Sequence, residues 1–164
     1  MKLLTKIKNK IFLIIIILFQ MGCNSSLDEN KWIEANEFYN LKDYNNCVVS
    51  LSSIIDNSKS NEYIVKSLFL LSEIYLNEFK EYYIAINYLD QILLNYSNDP
   101  LSKRALFTKA YVLSNYLELY SDAIFHYNDF LSKYPDDDLV SSVKYELNEL
   151  SDYNDKIENL IQSK

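Results

Sequence analysis

Between Leu101 and Pro135, apolar and polar positions recur with the period of an α-helix. Ala105, Leu106, Ala110, Val112 and Leu113 mark one apolar face, and Ala123, Ile124, Tyr127, Phe130 and Leu131 mark a second. The pattern predicts two amphipathic helices joined by a short turn. Displaced by 38 residues, the stretch falls on an earlier one: Leu106 on Leu68, Phe107 on Phe69, Tyr120 on Tyr82, Ala123 on Ala85, Ile124 on Ile86, Leu131 on Leu93 and Tyr134 on Tyr96. A second displacement of 38 lays Tyr82 on Tyr44, Ile86 on Val48, Leu89 on Leu51 and Ile92 on Ile54. Self-similarity at a fixed period of this length is the mark of stacked supersecondary units.

The recurring residues are of a definite kind. Each copy has a small residue inside its first helix (Ala35, Ser72, Ala110), an aromatic before the second (Tyr44, Tyr82, Tyr120), and a small residue within the second (Cys47, Ala85, Ala123). The last copy ends in Tyr134-Pro135. Small residues belong where two helices cross at close range, because side chains at the contact set the interaxial distance. In these features residues 27 to 135 resemble the tetratricopeptide repeat (TPR) family. The resemblance implies an all-α fold, a TPR-type helical-hairpin solenoid of about three repeats plus a C-terminal capping helix. One hairpin cannot bury both apolar faces, so such units stack. The chain departs from the family in lacking the turn glycine, in placing Ser97 where a helix-ending proline is usual, and in carrying one more residue between the helices of the later two copies.

In the first copy, Trp32, Ile33, Ala35 and Phe38 fall on the first helix and Val48, Leu51, Ile54 and Ile55 on the second, with Asp43 as its cap. The second copy runs from about Glu62 to Asn95, and Asn98-Asp99-Pro100 precedes the third. Asp136, Asp137 and Asp138 are expected to complement the positive end of the next helix, on which Leu139, Val143, Tyr145, Leu147 and Leu150 continue an apolar face. The domain plan is residues 1–22 as a lipoprotein-type signal peptide, 23–30 as lipidated cysteine and short tether, 31–150 as the TPR domain, and 151–164 as a C-terminal cap or frayed helical tail.

The signal assignment comes from the amino terminus. Lys2, Lys6, Lys8 and Lys10 precede an uninterrupted apolar run from Ile11 to Phe19, which is shorter than the roughly 20 residues of a membrane-spanning helix. Gly22, the only glycine, stands directly before Cys23. The segment resembles a bacterial lipoprotein signal, which implies a lipid on Cys23, with Gln20 where leucine is usual. The alternatives are an ordinary signal peptide or an uncleaved anchor. The lipoprotein resemblance implies a place in the bacterial cell envelope, anchored by lipid at the outer membrane and facing the periplasm.

Without residues 1–22 the chain keeps 12 basic and 23 acidic side chains, a net charge of −11. That balance argues against nucleic acid, whose phosphates require clustered Lys and Arg. Cys47 occupies a small-residue position and is expected as a buried thiol. His126 is the only histidine and has no cysteine pair near it, so no metal site and no cofactor are expected. No nucleophile elbow, phosphate-cradling loop or HExxH occurs, so no catalytic residue is assigned.

In TPR arrays the first helices line a concave groove, and the resemblance implies that a protein or extended peptide docks there. Carried over by position, the groove comprises Trp32, Asn36, Tyr39 and Asn40, then Lys66, Phe69, Glu73 and Asn77, then Arg104, Phe107, Tyr111 and Asn115. Trp32, Phe69 and Phe107 serve either as partner anchors or as packing between helices. Asn40, Asn77 and Asn115 either hold a peptide backbone or cap helix ends. The resulting expectation is a non-catalytic, membrane-anchored adaptor. It resembles the BamD-like lipoproteins of outer-membrane protein assembly, with FLSKYPDDDLVSSVKYELNEL as the supporting segment. The alternatives are a coordinator of cell-wall synthesis or division with YbgF-type repeats, or an accessory lipoprotein of a secretion apparatus.

Overall fold

A computed structural model describes the backbone of residues 23–162 and the side chains of residues 27–151. The signal peptide assigned to residues 1–22 and the lipidation assigned to the Cys23 side chain lie outside the described residues, as do the side chains of 152–164. Within the described residues the protein is all-helical, with seven helices and no strand. They are α1 (Cys23–Asn40), α2 (Tyr44–Asn57), α3 (Asn61–Asn77), α4 (Tyr82–Asn95), α5 (Pro100–Asn115), α6 (Tyr120–Lys133) and α7 (Val140–Gln162). Residues 23–30, expected as a tether, have helical backbone continuous with the first repeat helix. Among the described residues, no helix is long and apolar enough to cross a membrane.

The chain forms two compact units, one ending at Ser67 and the other beginning at Leu68, so that the boundary falls inside α3. In the first unit α1 and α2 make an antiparallel hairpin closed on small residues. Ala35 and Cys47 are both fully buried, and the Cys47 thiol donates to the Ala35 carbonyl at 3.2 Å. Burial, then the nearby Asp43 carboxylate, pushes the thiol pKa up to about 11, which keeps it a protonated donor. Leu51 and Ile54 complete the α2 core face, whereas Ile33 of α1 is largely exposed. Polar ties flank the apolar seam: Lys31 donates to Ser53 at 3.1 Å, and Ser58 donates to Asp28 at 2.6 Å.

In the second unit neighbouring helices pack in the same repeat-like manner. Leu106, Ala110 and Leu113 of α5 meet Ala123, Tyr127 and Phe130 of α6, and Val143 and Leu150 of α7 close the cluster. Leu76, Ala85 and Val112 form a smaller cluster joining the end of α3 to α4 and α5. Ser72, Ala85, Ala110 and Ala123 are all buried, as their role at close crossings requires. Tyr145, expected on the apolar face of α7, is instead 62% exposed. Val143, Leu147 and Leu150 follow helical spacing on the core side, and Tyr145 falls between them on the outside.

The helix ends have local causes. The Asp43 carboxylate accepts from the Asn46 N–H at 3.3 Å, and Asp99 accepts from the Leu101 N–H at 2.9 Å, with Pro100 opening α5. Of the acidic triplet, Asp137 accepts from the Leu139 N–H at 3.0 Å and pairs with Lys103. The hydrogen bond from Lys103, then that from Leu139, holds the Asp137 carboxyl below its usual range.

The three hairpin turns reveal the repeat in the backbone itself. Lys42, Lys80 and Glu118 have φ of 59°, 60° and 55°, in the left-handed region. They lie 38 residues apart, each two before the tyrosine that opens the next helix. A non-glycine residue pays about 1–2 kcal/mol for that conformation. In the first turn Lys42 N–H donates to Tyr39 and Asp43 N–H to Phe38, which is a Schellman closure. The later turns are one residue longer, and closure moves out by one: Glu81 N–H donates to Tyr75 and Leu119 N–H to Leu113, both at 2.8 Å. The turns therefore keep the repeat register without the glycine that would make them cheap.

Candidate functional site

The groove residues taken from the sequence are divided between the two units. In the first, Trp32, Asn36 and Tyr39 are half-buried along α1, and Asn40 is exposed at its end. The Asn36 amide is used within its own helix, donating to the Trp32 carbonyl at 2.6 Å. The Tyr39 ring meets Tyr44 edge-on with centroids 5.8 Å apart. Lys66 is tied locally, paired to Glu62 one turn earlier and lying 5.5 Å from the centre of the Tyr63 ring. This half of the site offers an indole and a phenol at the surface, with its cation already engaged.

The second unit holds a more connected arrangement. Phe69 is only 6% exposed, and the Arg104 guanidinium lies 4.8 Å from its ring centre. Phe69 is thus a packed residue, and Arg104 presents the surface that the sequence assigned to the ring. A guanidinium held over a ring keeps N–H donors for other acceptors. Glu73 sits half-buried nearby; burial raises its pKa, against the opposing pull of the Arg104 charge.

From Arg104 the face continues along α5. Phe107 is half-buried and packs on the core, with ring centres 6.1 Å from Tyr127 and 6.5 Å from Phe130. Tyr111 follows, 6.4 Å from Phe107 and 6.1 Å from Tyr116, which stacks on Tyr82 at 4.8 Å. Asn77 and Asn115 are exposed last residues of α3 and α5. The Asn115 amide donates to the Tyr111 carbonyl at 3.2 Å and to Glu146 of α7 at 3.4 Å. Asn115 is the last residue of its helix, whose cap position falls to Tyr116, and its amide links that helix to α7.

Glu146 and Tyr116 are the members that sequence reasoning missed. Glu146 stands among Asn115, Tyr111 and the buried phenol of Tyr127, whose hydroxyl makes no aligned hydrogen bond among the described residues. Burial raises the Tyr111 and Tyr127 pKa values, and the Glu146 carboxylate adds to both shifts. The signal for Glu146 was present: it lies three residues after Val143 and four before Leu150, a charge on the apolar stripe of α7. Tyr116 carried no signal, since it stands outside the repeat positions in a turn.

The second-unit face is thus a wall of rings with polar ends: a guanidinium edge at Arg104, carboxylates at Glu73 and Glu146, and an amide at Asn115. Neutral phenols and an amide suit the N–H and C=O groups of a polypeptide, while the rings supply area. Among the described residues, no group of three or more His, Cys, Asp or Glu side chains is arranged to hold a metal ion. No family model matches the chain, and no curated protein is significantly similar to it.

Proposed function

We propose that this protein is a non-catalytic adaptor of the bacterial cell envelope: a TPR-type solenoid, held at the outer membrane by lipid on Cys23 and facing the periplasm. It engages a partner protein through the first-helix faces and takes part in outer-membrane protein assembly in the manner of the BamD-like group. The observation that carries the TPR reading is the 38-residue recurrence of Lys42, Lys80 and Glu118 in left-handed turns, each followed by the helix-opening Tyr44, Tyr82 and Tyr120. The buried small residues of each hairpin support the same reading. The anchor rests on Gly22-Cys23 and the apolar run before them. Several acyl chains on one cysteine make anchoring durable, since one chain alone binds only marginally.

The partner surface in this reading is the Arg104, Tyr111 and Asn115 face, with the half-buried Trp32 and Tyr39 as the rings of the first unit. Intact mass of the membrane-extracted protein tests the anchor. The expected result is a chain beginning at Cys23 with added acyl mass, and loss of that mass in Cys23→Ser. Affinity purification from solubilised membranes tests the role. Recovery of a barrel-assembly component that is lost in Arg104→Ala/Tyr111→Ala supports it, and recovery of none at endogenous levels removes it.

A further inference from the structure

A cavity of about 660 Å³ opens between α4, α5 and α6 of the second unit. Its α5 residues are Ser102, Leu106 and Lys109. At about 100° per residue these lie half a turn around α5 from Phe107, Tyr111 and Asn115, so the cavity is separate from the face described above. Its volume falls in the range of about 300–1,000 Å³ typical of ligand pockets.

The lining has two parts. Leu93, Leu94 and Leu106 form an apolar strip, of which Leu106 is buried and Leu94 is 81% exposed. Around it the charges cancel locally: Lys109 pairs with Asp90 at 2.6 Å, and Lys133 with Asp129 at 2.8 Å. His126 joins them with its Nδ1 buried and without a hydrogen-bond partner among the described residues. Burial, then the Lys109 charge, lowers its pKa, so the ring is neutral at pH 7.

We propose that this cavity docks an uncharged, extended stretch of a partner polypeptide, placing one large aliphatic side chain on the leucine strip and its peptide groups against the polar rim. A charged ligand would have to break an ion pair or bring an uncompensated charge beside groups already neutralised. A peptide unit needs neither. Each lysine ammonium has three N–H donors, of which one is given to its aspartate, leaving others for a carbonyl. Asn98 offers both a donor and an acceptor. The exposed Leu94 is the apolar area that such a side chain would remove from water. This inference stands apart from the envelope assignment and holds or fails without it.

The test uses three forms of one side chain on the full chain in detergent, followed by backbone amide NMR: N-acetyl-leucine N-methylamide (neutral), N-acetyl-leucine (anionic) and leucine N-methylamide (cationic). The neutral probe is expected to shift Leu94, Asn98, Lys109 and His126, saturating on the order of 10 mM. Both charged probes should bind several-fold more weakly. Leu94→Gln, at an exposed helical position, should weaken the neutral probe while leaving the thermal unfolding transition in place. Absence of shifts at these residues overturns the proposal. So does equal or tighter binding of a charged probe, unchanged affinity in Leu94→Gln, or preferential binding of an N-acetylglucosamine oligomer.

Discussion

The α1/α2 hairpin and the α5/α6 hairpin have the same register and are sealed by different chemistry. In the first, the close crossing is Ala35 against Cys47, a thiol that donates to a helix carbonyl, and aliphatic Leu51 and Ile54 extend it. In the second, Ala110 and Ala123 occupy the corresponding crossing, and fully buried Tyr127 and Phe130 carry the volume. The difference teaches that the repeat fixes where a small residue must sit, not what fills the space beyond it. Aromatic filling brings a phenol into the core of the second unit, and with it the polar group of Tyr111, Asn115 and Glu146 on the surface above.

The largest expected effect tests the aromatic side of this comparison. Phe130→Ala should cost about 3–5 kcal/mol, through lost transfer energy and an unfilled cavity. Urea unfolding followed by far-UV circular dichroism would measure it. A loss below about 1 kcal/mol would mean that Phe130 does not carry the core. The small positions come next: Cys47→Leu and Ala123→Leu should each cost about 1–3 kcal/mol by overpacking, with Cys47→Ala much milder. If Cys47→Leu were neutral, the two crossings would not be equivalent.

The turns give a smaller change of opposite sign. Lys42→Gly, Lys80→Gly and Glu118→Gly should each stabilise the protein by about 0.5–1 kcal/mol, because glycine relieves the left-handed penalty but loses more chain entropy. Destabilisation at Lys80 and Glu118 alone would show that the longer turns depend on their side chains. The smallest effect is one of pH. The folded-state pKa of His126 is depressed from 6.5, by burial first and then by Lys109, with Asp90, Asp129 and Asp122 opposing. The unfolded chain therefore takes up the proton more readily, so stability is complete above about pH 6.5 and declines as pH falls below it. His126→Gln should remove that slope from the unfolding free energy between neutral and mildly acidic pH.

Much of this architecture was legible in residue spacing. The hairpins, the extra residue in the later turns, the Asp43 cap and the small residues at the crossings all follow from local periodicity. Such features depend on which residues are three, four or 38 apart, and a chain states that directly. The candidate site was less legible. Phe69 and Phe107 match in the repeat, but Phe69 is covered by Arg104 and Phe107 leans on Tyr127 and Phe130. Their exposure depends on what neighbouring helices bring over them.

By itself the sequence determined helix type, hairpin register and the places that admit only small side chains, because these are set by backbone period and by steric limits at close crossings. Tertiary structure alone decided which aromatic rings reach the surface. It also decided that Glu146 meets Asn115 and Lys109 meets Asp90, and that the Asp129–Lys133 pair of α6 borders the same cavity as Lys109 and Asp90. Those outcomes join residues from different helices. Their energies depend on burial and on distances between side chains far apart in the chain, which no local pattern records.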